Sequence, residues 1–129
     1  MYIKYKNKEY EKNVESLQRN YNENVIAEHI PKGVKNTSYV LNKGDEIRLC
    51  LRDPHTKKLH SFETLLFVNL HELSHIFDLG WGHEQPFWYG FKLILQNAEE
   101  LGLYKPIDYN KYPQPYCGLI INTNPYFSN

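Results

Sequence analysis

Three histidines, the first followed directly by Glu72, crowd the stretch VNLHELSHIFDLGWGHEQPFW, residues 68–88, of a chain that holds six histidines in all. On a helix, residues four apart share a face, so His71 and His75 can aim imidazole nitrogens at one ion. Zinc accepts imidazole nitrogen at about 2.0–2.1 Å and favours a tetrahedron, and catalytic sites leave one of its four positions to water. Glu72 lies about 100° around such a helix from His71, where its carboxylate can reach that water without ligating the metal. The pattern is H-E-x-x-H: two ligands and one general base. A carboxylate and two imidazoles on so apolar a run are costly unless they are paired or bound to a metal.

A third ligand is required, and His83 is the favoured one. Gly80 and Gly82 let the chain turn back under the helix, and His83 sits on that return. Glu99 and Glu100, further along, are the rivals, in the manner of the glutamate ligand of thermolysin-like enzymes. Asp78, three residues past His75, reads as a supporting or capping group. His29, His55 and His60 flank proline or lysine and read as surface residues.

These side chains need elements to hold them. Ser61 starts a helix that runs from about Phe62 to Asp78, apolar on most sides and therefore central. Gly80 and Gly82 end it. Pro86 suits the first turn of a further helix whose stripe is Phe87, Phe91, Ile94, Leu95 and Ala98. Upstream, Tyr10, Val14, Leu17, Tyr21 and Val25 mark an amphipathic helix from about Lys8 to Asn24, ended before Pro31 and Gly33. Ile47, Leu49 and Leu51 alternate with polar residues as a strand, joined through the turn Asn42-Lys43-Gly44-Asp45 to a strand through Tyr39 and Leu41. That strand, Ile47 to Leu51, is a candidate edge for an extended peptide. The segment from about 104 to 129 is rich in proline and tyrosine and reads as an extended tail with one short strand, Gly118 to Ile121. The fold class is α+β, with a small twisted antiparallel or mixed sheet packed on the active-site helix.

At 129 residues, 41% hydrophobic and 23% charged, the chain has the size and composition of one globular domain spanning 1–129. It shows no repeat, no apolar run of membrane-spanning length and no secretory h-region, so an intracellular protein without a membrane partner is expected. Cys50 and Cys117 stand alone without metal-site spacing and are read as buried free thiols. The net charge is zero. The positive excess lies before residue 60, in Lys4, Lys6, Lys8 and Lys12 and in Arg48 and Arg52. DNA binding is therefore expected to be weak.

"HELSH", a bend and then "GHEQPFW" resembles the WLM domain, a zinc metallopeptidase family akin to the SprT-like and Spartan proteases. The strand "EIRLCLR" and the helix entry "LLFVNL" resemble it too, so the likeness runs from about Asp45 to Leu95. It implies a compact zincin-like metallopeptidase domain and a protease acting on proteins crosslinked to DNA. His71, His75 and His83 would hold the zinc, with Glu72 as base. Two departures stand out. Seven residues separate His75 from His83 where the family usually has five, and the aromatic pair Phe87-Trp88 comes one position later than usual. No downstream segment for partner or SUMO recognition is expected. Metzincins need a methionine below the metal, and Met1 is the only one. A tyrosine from Tyr109, Tyr112 or Tyr116 is the candidate for stabilising an oxyanion. The competing reading is a non-catalytic, zinc-stabilised interaction domain. Neither reading specifies the protein substrate or the oligomeric state.

Overall fold

Apolar residues at steps of three and four become three helices. The computed structural model describes residues 10–30 and 37–128. Helix α1 spans Glu11–Asn20, shorter than the expected element. Lys4, Lys6 and Lys8, and the stop at Pro31 and Gly33, lie outside the described residues. At its other end Asn22 caps a separate 3-10 turn, Glu23–Val25. Helix α2 spans Phe62–Phe77 and α3 spans Gln85–Glu100. Ser61 caps α2 as read, its hydroxyl accepting from the Thr64 amide at 3.3 Å. Pro86 falls in the first turn of α3.

The described residues also form five short strands: β1 (Ile26–Glu28), β2 (Tyr39–Leu41), β3 (Glu46–Leu49), β4 (Gln114–Tyr116) and β5 (Leu119–Ile121). β3 pairs in parallel with β1 and antiparallel with β2, so the sheet is mixed, in the order β1-β3-β2. This corrects one expectation. The Ile47–Leu49 strand is central, with both edges occupied, and the edge facing α2 belongs to β2. The turn between β2 and β3 takes left-handed conformations at Asn42 (φ 49°), Lys43 (φ 60°) and Gly44 (φ 133°). A Cβ at Gly44 would come within 2.5 Å of the Asn20 carbonyl oxygen, so close approach to the end of α1 as well as φ requires glycine there. The tail holds a β4–β5 hairpin where a single strand was expected.

The core forms where α2 lies against α3. Leu70, Ile76 and Phe77 of α2 and Phe87, Phe91, Ile94, Leu95 and Ala98 of α3 are all fully buried. The helices approach at Gly90, where a Cβ would stand 3.0 Å from the Phe77 ring. Side chains from outside α2 also hold its last turn. Ser16 donates to the Ile76 carbonyl (2.8 Å), Asn13 to that of Phe77 (2.8 Å), and Lys43 to those of His75 and Asp78 (2.7 Å each). The final carbonyls of a helix have no partner within it. Here α1 and the β2–β3 turn supply one for each of these four, which fixes the end of the helix that carries His75.

The cysteines overturn their reading as free thiols. Cys50 and Cys117 form a disulfide across 67 residues of sequence, tying the end of β3 to the β4–β5 hairpin. His60 is also less superficial than its neighbours suggest: it is half-buried, and its Nε2 accepts from the Cys117 amide at 2.9 Å. Among the described residues no helix is long and apolar enough to cross a membrane.

Candidate metal centre

The long apolar helix α2 presents His71 and His75 one turn apart on the same face. Past its C-cap, Asp78, the chain bends through Gly80 and Gly82, the latter at φ 80°. The bend returns His83 to that face. Its Nε2 lies 3.1 Å from Nε2 of His71 and 3.1 Å from Nε2 of His75. Two extra residues between His75 and His83 therefore do not prevent convergence. The extra length is taken up in the bend, which leaves Trp81 70% exposed. Trp88 braces the return, donating from Nε1 to the His83 carbonyl at 2.9 Å and stacking on the His83 ring. Sequence reasoning noted the aromatic pair only as part of a resemblance. The structure makes Trp88 a support for the third histidine, and Phe87 packs its ring against all three imidazoles.

The nitrogens suit a cation better than one another. Tetrahedral ligation at about 2.0–2.1 Å puts imidazole nitrogens about 3.3 Å apart, close to the spacing seen. A single neutral Nε2 carries either one proton or one lone pair, so His83 cannot make ordinary hydrogen bonds to both neighbours. Burial holds the rings in the neutral form that binds metals. His71 is pushed down to about 3 by desolvation, with His75 and His83 adding to it. His75 is pushed down to about 4, again chiefly by desolvation, with His83 and Lys43 contributing and Asp78 opposing. His83 is lowered by desolvation. Among the described residues, these three form the cluster able to hold a metal ion.

Glu72 sits beside them, only 4% exposed. Its Oε2 is buried without a hydrogen-bond partner, and burial pushes the carboxyl up to about 8. Charged groups in apolar surroundings are retained only where something compensates them. An unpartnered carboxylate next to three converging imidazoles fits a centre completed by a cation.

The other candidates fall elsewhere. Glu99 and Glu100 end α3, roughly 20 Å along the axis from its start near His83, and Glu99 accepts from the Tyr126 hydroxyl at 2.6 Å. Asp78 caps α2 and accepts from the Gly80 amide, the supporting role expected of it. Tyr109 is fully buried in the core against Phe67, and Tyr112 is exposed on the tail. Tyr116 alone of the three tyrosines lines a cavity beside Glu72. Its hydroxyl is already committed, donating to the Cys50 carbonyl at 2.7 Å and accepting from the Ser38 hydroxyl. Burial raises it to about 12.

The model of the WLM domain matches residues 12–113, which include every residue of this centre. The chain belongs to the WLM family. It is 35% identical over 114 residues to an uncharacterized protein of Acanthamoeba polyphaga mimivirus, covering 88% of this chain and 57% of that one. It is 37% identical over 99 residues to an uncharacterized protein of Invertebrate iridescent virus 6, covering 74% and 53%. The chain thus spans about half the length of these curated relatives. Its fold is similar to the crystal structure of Wss1 from Saccharomyces cerevisiae, with a TM-score of 0.52 and 27% identity over 60% of this chain and 62% of that one. The part that matches the WLM model ends at residue 113, before the β4–β5 hairpin.

Proposed function

We propose that this chain is a zinc-dependent peptidase with a zincin-like site, in which His71, His75 and His83 hold the metal and Glu72 moves the proton. The convergence of three Nε2 atoms beside a buried, unpartnered carboxylate carries this reading. A zinc ion held by these three histidines would supply a Lewis acid for a scissile carbonyl and would lower the pKa of a bound water toward neutrality. Glu72 Oε2 takes the proton from the attacking water and passes it to the leaving amine as the C–N bond breaks. Burial raises its carboxyl, which favours holding the proton between taking it from the water and passing it to the amine. The substrate backbone docks along β2, the sheet edge that lines the same cleft as the three histidines through Tyr39 and Val40. This replaces the Ile47 strand with an edge that has unpaired backbone groups to offer.

WLM membership and the likeness to Wss1 support a peptidase acting on proteins crosslinked to DNA, and we propose that class of substrate. Direct DNA binding by this chain should be weak, because its cations near the sheet are already engaged. Arg48 pairs with Glu46, Arg52 with Glu28, and Lys43 with the end of α2. Retention on single- or double-stranded DNA should be slight at physiological salt and vanish as salt rises. Tight, salt-resistant binding, or cleavage only in the presence of DNA, would reverse that view.

The decisive experiment pairs metal analysis of the purified protein with casein or self-cleavage assays of wild type and Glu72→Gln. One zinc per chain, cleavage by wild type and none by the variant is the expected result. Zinc without any cleavage by wild type would instead favour the non-catalytic, zinc-stabilised domain.

A further inference from the structure

A second cavity, of about 270 Å³, opens beside the metal centre and shares His71, Glu72 and Ser38 with the cleft along β2. Its inner surface is apolar, with Val68 of α2, Phe91 of α3 and Tyr116 among the residues that line it. Its outer wall is the β5 strand, where Leu119 and Ile120 are 42% and 62% exposed, large apolar side chains left at the surface. Among the described residues no lysine or arginine lines it, and Glu72 is the one carboxylate that does. The Cys50–Cys117 bridge and the Tyr116 hydrogen bond to Cys50 fasten this wall to the body of the domain.

We infer that this cavity is a specificity subsite that receives a bulky apolar side chain, aromatic for preference, from the substrate residue next to the scissile bond. The inference rests on the peptidase reading and adds the substrate class to it. Side chains of an extended strand alternate, so a peptide lying on β2 with its carbonyl at the histidines must turn a neighbouring side chain toward one side of the cleft. On the side of Glu72 that space is this cavity. A cavity of about 150 Å³ lined by aliphatic and aromatic side chains is enough to hold benzene, so 270 Å³ accommodates a phenylalanine side chain. An acidic side chain would lose its water there and meet no cation among the described residues, while a basic one would find only Glu72, the group assigned to the proton transfer. The wall lies beyond residues 12–113, the part that matches the WLM model. The preference therefore rests on the hairpin as well as on the matched residues Val68 and Phe91.

Phenylalanine hydroxamate and glycine hydroxamate test this without turnover. Both chelate zinc alike, and only the first carries a side chain to bury. Calorimetric titration of the zinc-loaded full chain should show the phenylalanine compound binding about 10- to 100-fold more tightly. Ile120→Asp, a change at an exposed position that the fold tolerates, and Val68→Phe, which fills the cavity, should each abolish that difference. The affinity for glycine hydroxamate should not change in either variant. Equal affinities in wild type, or a preference that survives both variants, would overturn the subsite while leaving the metal centre intact. Failure of both compounds to bind zinc-loaded protein would overturn the proposed metal centre, and the subsite with it.

Discussion

At the scale of single residues, the proposed function makes His83 the test of the metal site and Glu72 the test of the chemistry. His83→Ala removes one of three converging nitrogens, so zinc retained per chain on dialysis should fall well below that of wild type. Full retention would shift the third ligand elsewhere. Glu72→Gln keeps nearly the same shape but cannot accept a proton, so it should keep zinc and fold and lose cleavage by at least 100-fold. The same groups set an acid and a basic limit on the metal-free chain. His71 and His75 bind protons more weakly when folded than at their ordinary 6.5, so below that pH the unfolded state gains protons and stability falls. Glu72 behaves oppositely. Its folded value of about 8 exceeds the ordinary 4.5, so stability declines as pH rises through that interval. With three histidines outweighing one glutamate on the acid side, chelated protein should be most stable near pH 6.5. Melting temperatures across pH 5 to 9 check this, and a monotonic profile would contradict it.

At the scale of elements, α2 depends on groups it does not itself contain. Lys43→Met withdraws a charged donor from the His75 and Asp78 carbonyls, and charge-assisted bonds of this kind are worth about 2 kcal/mol. The variant should melt lower and bind zinc more weakly, because His75 sits on the turn thus released. Unchanged zinc affinity would separate the cap from the site. The helices themselves were legible in the sequence: Ser61, Pro86 and the repeat of apolar residues are local signals, and local signals survive folding. The convergence of His83 was legible too, since a bend after a helix can reach only so far. What was not legible is contact between distant parts. Nothing local in Lys43 announces that it caps a helix thirty-odd residues later. The strand at Ile47 announces its hairpin partner β2 through the turn at Asn42–Asp45, but nothing local announces β1, three residues that pair on its other side. The cavity wall at Leu119 and Ile120 could be read only as a short strand, without its hairpin partner or its neighbour Glu72.

At the scale of the whole molecule, the Cys50–Cys117 bond governs how the domain comes apart. Lone cysteines carry no pairing signal in sequence, which is why these two were read as free. Closing a loop of this length removes enough unfolded-state entropy to stabilise the fold by about 4 kcal/mol in the chain-entropy view. Reduction should therefore lower the melting temperature by about 10 °C or more, and a shift of only a degree or two would show that the hairpin holds without it. The bond also encloses α2, the bend and α3, so every residue of the metal centre lies between its two ends. The exposed bend around Leu79 and Trp81 is an accessible place for a peptidase to cut, and on the proposed function a second copy of this chain would be one. Such a cut would leave both fragments joined through sulfur. A nicked molecule would then run as one species on a gel without thiol and as two with it, and self-processing could accumulate unseen in any preparation judged only under non-reducing conditions.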